Sequence, residues 1–315
     1  MKILITGVHG FVGSNLVEAL KKEHTIYGLD IVSPQKEGVK YTFSWNDLEK
    51  VSMIPEVDAI IHLAGKAHDV KNKSAADVYF KVNTGLTQKI FDYFLAHESI
   101  KKFVFFSTAK AAADKVDGIL TEDVVPSPVG PYGESKIAAE QYLLSKMEEV
   151  RSKGKDIYIF RPCMIHGPGN KGNLNLLYNV VKKGIPWPLG AFENRRTFTS
   201  IENICFAVNG VLTKDVPSGI YNMGDDEALS TNELIEEICM SLGKKAHIWK
   251  LPKGLMNGAA KIGDWLHLPL NSLRMQKLTE NYISSNAKIK AALGVEKMPV
   301  EAREGLQVTL DSFKA

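Results

Sequence analysis

At 315 residues the chain exceeds the usual size of a single core, so two domains or one large α/β unit are expected. Its 44% hydrophobic and 24% charged residues are ordinary for a soluble globular protein, and a net charge of +3, with acids and bases mixed along the sequence, gives no electrostatic case for nucleic acid as the main partner. No apolar run reaches membrane-spanning length, MKILITG is too short for a signal peptide, and Cys163, Cys205 and Cys239 form neither a disulfide framework nor a metal motif, so a soluble cytoplasmic protein without a metal is expected.

Residues 2–6 (KILIT) form a short buried strand ending at Gly7, and helical periodicity follows from Val12 to Leu20. TIYGLD is a second strand ending at Asp30. The runs AIIHLAG (59–65) and KKFVFFST (101–108) are apolar throughout and strand-length, with helical spacing from Asp77 to Leu95 between them. Strands apolar on both faces belong to a parallel sheet covered by helices, so the alternation over the first 160 residues predicts a Rossmann-type, doubly wound α/β fold. DIYIFRP (156–162) adds another strand. After Pro162 the texture changes: a glycine-rich loop, an apolar helix from Leu174 to Val181 and an irregular stretch precede two elements, Ile201 to Val211 and GIYNMG, that return to the sheet. The predicted division is a dinucleotide-binding domain, 1–162 returning at about 200–222, and a smaller, mainly helical substrate domain, 163–199 and 223–315.

TGVHGFVG places Gly7, Gly10 and Gly13 between the first strand and the first helix. The first glycine permits the tight turn, the second lets backbone approach a pyrophosphate, and the third lets the helix pack on the strand, its N-terminal amides facing the negative charge. Asp30 suits hydrogen bonds from the adenosine ribose hydroxyls and repels a 2′-phosphate, and Ile31, Val32 and Ser33 supply no cation to hold one. The expected cofactor is NAD. The alternative for Asp30 is a solvated strand-end carboxylate.

A tyrosine four residues before a lysine occurs three times, as Tyr132/Lys136, Tyr142/Lys146 and Tyr178/Lys182, so the spacing alone selects none. Together TGVHGFVG, HLAG (62–65), Asn83 in VNTG, Ser107-Thr108, Tyr132 to Lys136 in YGESK, and RPCMIHGPG follow the order found in extended short-chain dehydrogenases/reductases. The chain resembles their NAD-dependent epimerase/dehydratase group, whose substrates are mostly nucleotide sugars. That resemblance singles out Tyr132, which follows the strand ending at Thr108 by the family interval. Tyr142 is ten residues on, about 280° around a helix axis, and Tyr178 has the apolar neighbours of a packing residue. The implied roles are Tyr132 as general acid/base, Lys136 as the cation beside it and holder of the nicotinamide ribose, and Thr108 as hydrogen-bond partner of the reacting oxygen. A flanking ammonium together with the positive charge of the oxidised nicotinamide is expected to pull the phenol pKa down. The alternative for Tyr132 and Lys136 is an exposed helix pair.

The resemblance also places Gly7, Gly10, Phe11, Val12, Gly13, Asp30, Leu63, Ala64, Gly65, Asn83, Ser107 and Pro162 against the cofactor, with Tyr132 and Lys136. Asn83 is equally readable as a helix N-cap. Arg196 and Asn173 resemble the family residues that meet the substrate diphosphate, with a surface arginine and a helix cap as ordinary alternatives; Arg195 assists or faces solvent. His166 stands where the family often has tyrosine, and His62, His68 and His97 are read as structural. A homodimer through helices at about 76–97 and 132–152 is a family-level expectation.

Family dehydratases carry an acid immediately after the threonine, whereas here Thr108 is followed by Ala109-Lys110-Ala111, which disfavours dehydration. A 4-epimerase acting on a UDP-hexose is the leading expectation, with a 4-keto-sugar reductase of bacterial polysaccharide synthesis as the alternative. A non-catalytic NAD sensor is disfavoured by the intact Thr108, Tyr132 and Lys136, and a reductase of non-nucleotide ketones by Arg196 and Asn173.

Overall fold

The computed structural model describes residues 1–50, 52–66, 75–266 and 271–314. Strand β1 (Lys2–Thr6) runs into helix α1 (Phe11–Leu20), which buries Leu16, Val17 and Leu20, and then into β2 (Thr25–Leu29) and β3 (Val39–Phe43). After β4 (Ala59–His62), α2 (Ala76–Tyr79) passes through a π-helical turn (Phe80–Gly85) into α3 (Leu86–Ala96). Strand β5 (Lys102–Phe106) leads to α4 (Ala109–Ala112), the short β6 (Ile119–Leu120), and α5 (Pro131–Ser145), which starts with proline at its first turn, where a missing N–H costs nothing. Helix α6 (Met147–Ser152), strands β7 (Asp156–Pro162) and β8 (Met164–His166), helix α7 (Asn173–Lys182), β9 (Phe198–Ser200), α8 (Ile201–Thr213) and β10 (Gly219–Met223) follow. Helix α9 (Thr231–Ser241) opens with a Ser230/Glu233 capping box and is followed by α10 (Lys253–Leu266), α11 (Ser272–Thr279), β11 (Ile283–Ser284), α12 (Ala287–Leu293) and α13 (Ala302–Ser312).

Seven strands pair in the order β10-β7-β5-β4-β1-β2-β3, all parallel. Because alternate side chains leave opposite faces of a strand, Ile3 and Ile5 pack under α1, α8 and α12, whereas Leu4 joins Ile60, Phe103 and Phe105 under α3 and α5. The doubly wound parallel sheet expected from the apolar runs is therefore present. Of the two returning elements, residues 201–213 are a helix covering the sheet and residues 219–223 a strand within it. Strand β3 was not foreseen: it is an edge strand with Lys40 and Tyr41 exposed, lacking the two-sided apolar run of the interior strands. A third core, built on Tyr178, Trp187, Leu234, Ile238, Met256 and Leu306, holds α7, α9, α10 and α13 together. The strand order reverses at β1/β4, and the carboxyl ends of those strands open the crevice where α/β sheets bind ligands.

Candidate active site

Gly7, Gly10 and Gly13 turn the chain from β1 into α1, and the geometry shows why each lacks a side chain. Gly7 has φ +69° and its absent Cβ would sit 3.0 Å from the Ala64 amide; a Cβ on Gly13 would lie 2.4 Å from the Gly7 carbonyl. Thr6 Oγ1 accepts the amides of Leu63 and Ala64 at 3.1 and 3.0 Å, fixing the end of β4 beside this loop. Phe11 and Val12 form the first turn of α1. At the end of β2, the Asp30 carboxylate accepts the amides of His9 at 3.1 Å and Ile31 at 2.7 Å. A cation that residues 31–33 do not supply arrives from farther along: Lys36 Nζ donates to Ser14 Oγ in α1 at 3.0 Å.

Thr108 follows β5 and caps α4, its Oγ1 accepting the Lys110 amide at 3.3 Å. The same hydroxyl is hydrogen-bonded to the Tyr132 phenol from the second residue of α5. Lys136, one turn on, is buried; its Nζ donates to the Phe106 carbonyl at 2.8 Å and lies over the Phe105 ring. A Cβ on Gly65 would come within 3.2 Å of that Nζ, so the lysine faces the crevice beside the glycine loop. The protein's own groups do not lower the tyrosine pKa. Burial, the largest influence, holds the Tyr132 phenol above its ordinary value, the Thr108 hydrogen bond opposes it, and the ammonium that was to lower it is spent on a carbonyl. Burial also pulls Lys136 down to about 8, with Glu140 acting against it.

Several supporting groups escaped sequence reading. Glu140, a turn beyond Lys136, is fully buried and accepts Arg161 Nε at 3.0 and 3.1 Å and Nη2 at 2.5 Å, together with the Ser107 hydroxyl. Tyr79 meets the Tyr132 ring edge-on at 6.4 Å and has Lys66 Nζ over its own face. Asn83 is no N-cap: within the π-helical turn its Oδ1 accepts the Lys66 amide at 2.7 Å and its Nδ2 donates to Lys66 O and Ser135 Oγ. Ser135 in turn donates to the Tyr132 carbonyl, so Asn83 ties the end of β4 to the tyrosine helix. The sequence signal available for these groups was their polarity at positions whose helical neighbours are apolar.

The other tyrosine–lysine pairs fall elsewhere. Tyr142 donates to Asp92 on the outer face, and Tyr178 packs against Phe313. His62 is buried between Thr6 and Thr87 and held well below its ordinary pKa by burial, hence neutral. His97 bonds the Tyr93 carbonyl, and His68 lies outside the described residues. His166 is buried between Thr309 and Asp225.

Arg196 Nη1 donates to the Lys277 carbonyl at the end of α11, and its guanidinium lies close enough to Cys163, next to Pro162 at the end of β7, for the two to influence each other's ionisation. Arg195 faces outward to Glu233. Asn173 is exposed as the first residue of α7, with Gly172 rather than Asn173 at the cap position. The nearest acid to Thr108 along the chain, Asp114, is engaged by Lys110 and the Val129 amide.

A dinucleotide-type crevice with a threonine, tyrosine and lysine at the end of its central strands defines an oxidoreductase-like α/β enzyme. The chain belongs to the NAD dependent epimerase/dehydratase family, whose model matches residues 3–224. It is 30% identical over 268 residues to UDP-glucose 4-epimerase of Vibrio cholerae, covering 79% of this chain and 78% of that one. It is 26% identical over 268 residues to dTDP-4-dehydro-6-deoxyglucose reductase of Escherichia coli, covering 78% and 83%. Its fold matches UDP-N-acetylglucosamine 4-epimerase of Bacillus cereus with a TM-score of 0.78 at 22% identity over the whole of both chains. The family's cofactor, NAD, fits the residues present: glycines whose side chains would fill the cradle, and Asp30 at the strand end.

Proposed function

We propose that the protein is a nucleotide-sugar 4-epimerase of the UDP-hexose type. The observation that carries this reading is the hydroxyl pair of Thr108 and Tyr132 at the end of β5, with Lys136 behind it and Asp114, the nearest acid to Thr108 along the chain, engaged by Lys110. Two hydroxyls on one substrate oxygen serve proton exchange; elimination of water would need a further acid. NAD, held by Gly7, Gly10, Phe11, Val12, Gly13, Asp30, Leu63, Ala64, Gly65, Ser107, Lys136 and Pro162 with Asn83 bracing Gly65–Lys66, supplies the hydride acceptor and donor. Tyr132 takes the proton of the sugar 4-hydroxyl and returns it, and Thr108 holds that oxygen in place. Lys136 keeps positive charge in the crevice and meets the nicotinamide ribose. Arg196, a planar fork suited to phosphate, and Asn173 bind the substrate diphosphate.

Purified protein incubated with a panel of UDP-sugars and 4-keto sugars, with NADH absorbance followed, tests the reading. Interconversion of C4 epimers without net cofactor change is expected; stoichiometric NADH loss would make the protein a reductase instead. Arg196→Ala should raise KM for the nucleotide sugar about tenfold or more with little change in kcat, as expected for one lost charge-assisted contact. Asp30→Asn should weaken NAD binding about tenfold and, with Lys36 at hand, admit NADP, as measured by fluorescence titration of both dinucleotides. A cytoplasmic location, where the three free cysteines would stay reduced, is part of the proposal. A homodimer is proposed through α2–α3 and α5–α6, which leave Val78, Phe80 and Leu144 at the surface; light scattering at the eluting peak measures it.

A further inference from the structure

Helix α10 is apolar on two sides, and only one of them is covered. At 100° per residue Met256, Ala260 and Gly263 share the buried side. Leu255, Ala259, Ile262 and Leu266 form a second stripe, flanked by Trp265, while Asn257, Lys261 and Asp264 occupy the remaining arc. On that second side Leu255 is 61% exposed, Ile262 56%, Leu266 51% and Trp265 79%. Trp249, four residues before the helix, is another 53% exposed. Single exposed apolar residues are normal; a continuous helical stripe flanked by a tryptophan is not.

The charge around this stripe points to its occupant. Residues 238–279 hold Lys244, Lys245, Lys250, Lys253, Lys261, Lys277 and Arg274 against one acid, Asp264, a net of +6, whereas the whole chain carries +3. Among the described residues none of these lysines forms an ion pair, and all are exposed. A helix with an apolar outer stripe, a tryptophan at its edge and lysines around it has the composition of one that lies in the interface of a bilayer, and unpaired lysines complement anionic headgroups. No helix among the described residues is long and apolar enough to cross a membrane, so such an association would be peripheral.

We propose that the 244–266 segment docks the protein on an anionic phospholipid surface, with Leu255, Ile262, Trp265 and Leu266 entering the headgroup boundary and Lys250 and Lys261 meeting lipid phosphates. Two features connect this face to the crevice. Asp264 near the end of α10 caps the start of α11 through Ser272, and α11 ends at the carbonyl that holds Arg196. The docked face is thus linked through α11 to the arginine proposed above for the substrate diphosphate.

Flotation with phosphatidylcholine vesicles, with and without phosphatidylglycerol, tests the proposal on the full chain. Binding to the phosphatidylglycerol vesicles, weakened by salt, with a blue shift of tryptophan emission, is expected. Trp265→Glu should lower that binding about tenfold, and Lys250→Glu with Lys261→Glu by at least as much, both without change in NAD binding or thermal unfolding. Absence of vesicle binding overturns the proposal, and so does binding that Trp265→Glu leaves unchanged. If the protein instead elutes as an oligomer that Trp265→Glu dissociates, with no vesicle binding, the stripe is a self-association face and the proposal is likewise overturned.

Discussion

Tyr132→Phe will lower kcat about a thousandfold while leaving NAD affinity and thermal stability within error of the parent. Phenylalanine keeps the ring that meets Tyr79 edge-on and the helix that carries Lys136, so packing is preserved. It removes only the oxygen hydrogen-bonded to Thr108, the group assigned to proton exchange. General acid–base catalysis is worth roughly 10²–10⁴-fold, which sets the expected loss. Thr108→Val should cost about a hundredfold, the scale for losing one hydrogen-bond donor to a reacting oxygen. Single-turnover kinetics beside a fluorescence titration of NAD separate chemistry from binding. A Tyr132→Phe enzyme that turns over at the parent rate would remove the tyrosine from the mechanism and leave Lys66 with Tyr79 as the next groups to examine.

The parts of this site that were readable from sequence are those fixed by backbone. Interior strands must be apolar on both faces, so β1, β4, β5 and β7 stood out, whereas β3 at the sheet edge shows only one buried side and was missed. Glycines crowded by backbone, as Gly13 is by the Gly7 carbonyl, admit no substitute and therefore mark the cofactor loop in any sequence. Side-chain pairings across elements leave no such trace. Arg161 and Glu140 are 21 residues apart on β7 and α5, Asn83 reaches both Lys66 and Ser135, and Lys36 returns to Ser14 over 22 residues. The protein's own effect on the Tyr132 pKa was hidden for the same reason. Spacing placed a lysine one turn away but could not say that its ammonium would bond the Phe106 carbonyl. On α10 the periodicity reveals two apolar sides, yet only the fold says which one the core takes.

Glu140 lies at the junction of stability and chemistry, and its replacement should affect both. Arg161 and Glu140 are each essentially excluded from solvent, and Arg161 Nη1 already has no hydrogen-bond partner among the described residues. Glu140→Gln leaves the guanidinium as an uncompensated buried charge, a change that costs about 3–5 kcal/mol in such settings. Urea unfolding should show that loss in the midpoint with little change in slope. Because the penalty arises from the stranded charge, Glu140→Met combined with Arg161→Leu should recover most of it, despite removing more polar groups. The chemical consequence follows from Lys136, whose ammonium burial has already drawn down to about 8 and which the Glu140 carboxylate partly sustains. Since the charged form is the one assigned to the crevice, activity in the parent should fall as pH rises through that value. Removing the carboxylate moves the Lys136 pKa further down, so in Glu140→Gln the same fall begins at lower pH. A purely structural role for Glu140 would lower stability and leave this limb of the pH profile where it was.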